Sequence, residues 1–259
     1  MTGIELLAGL VVGLLLGLLG SGGSIVTLPA LVYIAGVDVK PAMAMTFGIV
    51  AITAAFATIQ HVWMGRVKLP VAAVLGVTGI GGTYLGARLG VWIPDPLQLI
   101  MFASIMLLAA WRMCASQPQQ QVAMDSAPYV GQSSFKRPHI AVHGVIIGVL
   151  TGMVGVGGGF LIVPALVLLS GLSIRDAVGT SLVVVTLKSI AGFTGYVGAV
   201  DIDYNMMIGF SLVAIIGSLA GASLSSRISG ERLRVVFGVF LVFMASAILL
   251  ESSIEILQS

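Results

Sequence analysis

A chain of 259 residues with 58% hydrophobic and 8% charged residues cannot cover itself with polar groups; a soluble domain carries about 25% charged residues, so most of this chain's solvent is lipid. Its mean hydropathy of +1.12 agrees. A formal net charge of +2 points to no nucleic-acid partner, and the single Cys114 excludes an intrachain disulfide and a Cys-based metal site.

The N-terminus has no Lys/Arg-rich leader and no plain cleavage site, so it reads as the first membrane segment. Residues 4–19 are apolar, Gly20-Ser21-Gly22-Gly23-Ser24 interrupts them, and residues 25–36 are apolar again. One straight helix over this stretch would measure about 50 Å, too long for a ~30 Å hydrocarbon core. The two pieces alone would measure about 24 and 18 Å, which suits a helical hairpin turning at the glycines. Apolar segments follow at 41–60, 70–90 and 97–114. Residues 115–138 are a polar linker, and the plan then repeats: a broken segment at 139–170, then 177–199, 205–225 and 232–250. No period-2 alternation appears, so no β-barrel is expected.

The second half restates the first at an offset of 135 positions. Gly155-Val156-Gly157-Gly158-Gly159 and Pro164-Ala165-Leu166-Val167 answer the first break and Pro29-Ala30-Leu31-Val32. Gly9, Gly13 and Gly17 fall on Gly144, Gly148 and Gly152; Gly82 and Gly86 fall on Gly217 and Gly221; Thr46 falls on Ser181. The register slips by two near the 60s, where Gly65 matches Gly198. The spaced glycines put small residues on one helix face for close packing in lipid. The expected fold is an all-α polytopic membrane protein of two repeats, residues 1–114 and 139–259, each a Gly-broken helical hairpin plus three transmembrane helices.

Lys and Arg favour the cytoplasmic side. Arg66 and Lys68 follow the second segment of the first half, whereas the matching loop carries Asp201 and Asp203, which predicts inverted halves. With the linker cytoplasmic, Arg112, Lys136, Arg137, Arg175, Arg227, Arg232 and Arg234 join them inside, and only Lys40 and Arg88 lie outside. Both termini are then periplasmic. Trp63, Trp92 and Trp111 fall near segment ends, where an aromatic belt sits.

Irregular backbone at membrane depth is tolerated only inside protein or beside a wet cavity. A helix starting after each break points its N–H groups at the turn and favours an anion there, so Gly20, Ser21, Gly22, Gly23, Ser24, Gly155, Gly157, Gly158 and Gly159 are candidate binding residues. Lys188, in Thr186-Leu187-Lys188-Ser189-Ile190, is the charged residue in the middle of a membrane segment, and no carboxylate lies at its depth. Such residues face a cavity or a partner, and a bound anion would neutralise this one. Thr53 is its counterpart in the first half. Thr46, Thr180 and Ser181 are placed to donate to an oxyanion, although helical hydroxyls more often bond a carbonyl one turn back.

These motifs resemble the TauE/SafE family: the Gly-rich turn followed by Pro-Ala-Leu, its repeat, and Gly179-Thr180-Ser181-Leu182 leading into Lys188-Ser189-Ile190-Ala191-Gly192-Phe193-Thr194-Gly195-Tyr196. That family is described as sulfite and organosulfonate exporters. The resemblance implies a secondary transporter in the bacterial inner membrane, exporting sulfite, sulfoacetate or a related organosulfonate. Another small anion, or uptake, is the alternative within the class. No cofactor or metal is expected; a homodimer and a proton or sodium coupling ion stay open. An intramembrane enzyme using Ser21 with His61 or His143 is a competing class, weakened because Val156 matches Ser21. A structural subunit of a membrane complex is another. The chain is expected not to be an enzyme.

Overall fold

In lipid a backbone must satisfy its own N–H and C=O groups, and a helix does so within one segment. The computed structural model follows that rule. It describes residues 3–19, 23–115, 137–156 and 174–225, with positions 159, 162, 163, 166, 172, 239, 242–246, 248 and 249. In chain order the elements are α1 (Gly3–Leu19), α2 (Gly23–Pro29), a π-helical turn (Ala30–Ile34), α3 (Val39–Trp63), α4 (Leu69–Gly90), α5 (Asp95–Ala115), α6 (Arg137–Met153), α7 (Ile174–Tyr196) and α8 (Tyr204–Ser225). Most of the linker, most of 157–171 and most of the last segment lie outside the described residues.

Helices α3, α4, α7 and α8 contain spans long and apolar enough to cross a membrane. The 25 residues of α3 reach about 37 Å, enough to span with some tilt. Large apolar side chains such as Leu85, Leu212 and Ile216 are exposed, as lipid contact requires. Trp63 and Trp92 are 85% and 87% exposed at helix ends. The segment expected at 177–199 stops at Tyr196, before a turn in which Gly198 takes φ +78. Its counterpart Gly65, after α3, takes φ +68, as the slipped register requires.

The first broken segment turns back on itself. A Cβ placed on Gly23 would fall 2.5 Å from Val12 O and 2.8 Å from Leu16 N, so α2 starts beside the body of α1 and does not prolong it. Pro29 has no N–H and crowds the preceding turn, and the helix widens immediately after it. Ala35 N–H donates to Ala30 O at 3.1 Å and Val37 N–H to Leu31 O at 3.0 Å. The second half repeats the last of these bonds: Leu172 N–H donates to Leu166 O at 3.4 Å.

Packing joins the two halves reciprocally. The first helix of each half lies on the third apolar segment of the other: α1 on α8, and α6 on α4. Helix α7 completes the centre against α3 and α4. The glycine faces are what let these backbones meet. A Cβ on Gly17 would fall 2.8 Å from Ala222 N, and one on Gly221 2.9 Å from Leu18 N. In the other pair, a Cβ on Gly86 would fall 3.0 Å from Met153 N, and one on Gly152 2.9 Å from Ala87 N. Contacts advance together along both pairs, so the paired helices run parallel. Ion pairs tie opposite ends of the bundle, Lys40 to Asp95 at 3.4 Å and Lys68 to Asp176 at 3.3 Å.

Candidate anion site

Lys188 sits midway along α7 and is 1% exposed. Its Nζ has no hydrogen-bond partner among the described residues. The side chain fits because α4 presents a glycine to it: a Cβ on Gly79 would fall 2.9 Å from Lys188 Cδ, 3.1 Å from Cγ and 3.3 Å from Cε. Leu187 packs the same way on Gly76, whose Cβ would lie 2.8 Å from Leu187 Cδ1. Lys188 borders a cavity of about 10 Å³, lined also by Leu75, Gly144, Ile147, Ile162 and Val184. That is room for roughly one water. An ammonium group enclosed by hydrocarbon lacks the hydration it has in water, and a small anion would replace it.

The other predicted site residues divide. Thr46, in the second turn of α3, is buried, and its Oγ1 has no hydrogen-bond partner among the described residues. Its neighbour Phe47 meets Gly192, one helical turn beyond Lys188. Met43 meets Tyr196 in the same antiparallel pairing, so Thr46 lies more than one helical turn from the Lys188 level. Thr180 and Ser181 serve the backbone at the start of α7. Thr180 Oγ1 accepts from Lys68 N–H at 3.0 Å, and Ser181 Oγ donates to Val178 O at 2.8 Å.

Gly155 ends a helix. Val156 N–H donates to Thr151 O at 3.2 Å and Gly155 N–H to Gly152 O at 3.3 Å, and Gly155 takes φ +73. This is a Schellman termination of α6, in which glycine avoids the Cβ strain of the left-handed conformation. Gly155 abuts Met43, near the start of α3, whereas Gly23 abuts Val12 and Leu16. The described contacts thus do not gather the two breaks around Lys188. Ile162, downstream of the second break, does reach the Lys188 cavity. Gly159 is buried and helical. Gly20, Ser21, Gly22, Gly157 and Gly158, and the side chains of Ser24 and His143, lie outside the described residues.

Two buried hydroxyls were not singled out by sequence: Ser189, next to Lys188, and Thr83 on α4. Neither has a hydrogen-bond partner among the described residues. Adjacency to Lys188 was the one available signal for Ser189, since an isolated serine in an apolar run has no motif. At the end of the bundle holding Gly155, Gln98 Nε2 donates to Gly90 O at 2.8 Å and to Met153 O at 2.7 Å. It fastens the last turns of α4 and α6 to α5. Tyr196 OH lies 3.7 Å from Met43 Sδ beside this clamp.

Residues 5–248 match the family model described as "Sulfite exporter TauE/SafE". The chain is 31% identical over 242 residues to a probable membrane transporter protein of Xylella fastidiosa (strain 9a5c), covering 92% of this chain and 91% of that one. It is 25% identical over 244 residues to the probable membrane transporter protein YdhB of Bacillus subtilis (strain 168), covering 92% and 95%. It is also 25% identical over 260 residues to the probable membrane transporter protein MJ0441 of Methanocaldococcus jannaschii, covering 92% and 93%. No solved structure matches.

Proposed function

Because this chain belongs to the TauE/SafE family of membrane transporters, we propose that it exports a small sulfur-containing anion across a bacterial inner membrane, with Lys188 as the central positive charge. The chain is a multi-pass transporter, not an enzyme. Sulfite, sulfoacetate and related organosulfonates are the substrates to test. One observation carries the site: Lys188 is buried at mid-span without a described hydrogen-bond partner. An unpaired cation in hydrocarbon is costly, and an anion that binds there offsets the cost.

The two halves are inverted, with both termini periplasmic and the linker cytoplasmic. The Lys/Arg distribution supports this reading. So do the parallel pairs α1–α8 and α4–α6, in which the first helix of each half runs with the third apolar segment of the other. An inside-negative potential drives export of a net negative charge, by about 2.3 kcal/mol per elementary charge per 100 mV.

The test is flux of radiolabelled sulfite, sulfoacetate, thiosulfate and sulfate in liposomes holding purified protein, wild type and Lys188→Ala. Saturable flux of a sulfur anion, lost in the variant, is expected. Flux that survives Lys188→Ala removes Lys188 from the site, and absence of flux for all four anions overturns the substrate class.

A further inference from the structure

The repeat supplies an internal control for the Lys188 cavity. At the 135-residue offset, Lys188 corresponds to Thr53, Gly79 to Ala214, Leu75 to Phe210 and Ile162 to Thr27. The equivalent place in the other half carries no cation. Thr53 Oγ1 donates to Ile49 O at 2.7 Å, and Thr27 Oγ1 donates to Gly23 O at 2.9 Å, so both hydroxyls are committed to their own helices. Phe210 and Ala214 are buried there. The packing scheme thus places a long cation in one half and a short, satisfied side chain in the other. Gly79 goes with the lysine: a methyl group at that position would press on three carbons of its stem.

Among the described residues lining the cavity, Lys188 carries the one charge, and Leu75, Gly144, Ile147, Ile162 and Val184 offer no side-chain donor. We infer that this is a one-charge site, which takes a small monoanion bearing a short apolar group and rejects dianions, with Gly79 positioning the lysine. The inference rests on the reading that Lys188 holds the transported anion, and it narrows the proposed substrates to monoanions such as hydrogensulfite and short alkanesulfonates, excluding the dianion sulfoacetate. A monoanion against Nζ leaves the pair neutral in hydrocarbon. A dianion leaves one net charge there, and no described wall residue offsets it. Aliphatic walls accept a methyl or ethyl group where a polar pocket would require hydrogen-bonding substituents. The cavity is closed down to about 10 Å³ in this conformation, so the anion enters only as the walls part.

The probes are methanesulfonate, a fixed monoanion, and sulfate, a fixed dianion. Each is presented to purified full-length protein in liposomes with the membrane potential clamped at zero. Methanesulfonate is expected to exceed sulfate in kcat/KM by about tenfold or more. Lys188→Met keeps the length of the side chain without its charge and abolishes methanesulfonate flux. Gly79→Ala keeps the charge but displaces it, raising KM more than it lowers kcat. Sulfate carried as well as methanesulfonate, with both lost in Lys188→Met, overturns the one-charge site and leaves the anion site standing. Flux indifferent to Lys188→Met overturns both readings, whereas the absence of methanesulfonate flux in wild type overturns the one-charge site with its apolar walls. An unchanged KM in Gly79→Ala removes Gly79 from the account. The wild-type selectivity ratio needs no variant to fold.

Discussion

A methyl group added at Gly81 meets nothing within 4 Å, whereas one added at Gly82 falls 3.1 Å from Val149 N and closer still to Val145 O. Adjacent glycines on α4 therefore have opposite expected responses. Gly81→Ala gains about 0.5–1 kcal/mol through helix propensity. Gly82→Ala loses about 1–3 kcal/mol by overpacking against a neighbouring backbone that cannot swing aside. Thermal unfolding of the purified variants in one detergent reads both signs, and equal shifts would contradict the α4–α6 contact. Thr46→Val removes a buried hydroxyl with no described hydrogen-bond partner. Its melting temperature should stay level or rise; a clear fall would mean that the hydroxyl has a partner. From sequence, Thr46 and Ser181 were equivalent candidates, because the repeat superimposes them. Local bonding separates them: Ser181 Oγ donates to Val178 O.

At the scale of elements, run lengths and glycine breaks were enough to anticipate most of the helices, because a lipid-facing segment must be long, apolar and internally hydrogen-bonded. Their ends depended on finer detail. Helix α6 stops where Gly155 can adopt positive φ, and α2 passes into a wide turn just after Pro29. The clamp made by Gln98 was not legible, since one glutamine in the first turns of an apolar helix resembles any interfacial polar residue. It joins the last carbonyls of α4 and α6, groups that a helix leaves unpaired at its C-terminus. Gln98→Leu removes two hydrogen bonds and should destabilise the protein by about 1–3 kcal/mol. Thermal unfolding checks this, and an unchanged midpoint would mean that water replaces the amide at little cost.

Across the whole molecule, each half completes the other: neither α1 nor α6 finds its main glycine-lined partner within its own repeat. Separately expressed halves are expected to aggregate or degrade alone and to recover transport when co-expressed. Transport-competent protein from one half alone would refute that dependence. The proposed orientation has its own check in a Cys114→Ser background. Asp125→Cys in the linker should react with an impermeant maleimide only from the cytoplasmic side, and Thr2→Cys only from the periplasmic side. The reverse pattern would turn the bundle over.

Composition alone determined the solvent of this protein, internal comparison revealed its repeat and two breaks, and the place of one charge within an apolar run marked its mid-membrane lysine. These properties add residue by residue or recur at a fixed offset, so no contact map is needed to read them. Only the tertiary structure decided that the glycine faces join opposite halves, that Thr180 receives the Lys68 N–H while Ser181 serves its own helix, and that Lys188 rests on Gly79 beside an apolar cavity. Each of those outcomes depends on which distant segment comes within a few ångströms. In lipid, that choice follows close backbone packing more than hydrophobicity, because the tails outside are as apolar as the side chains within.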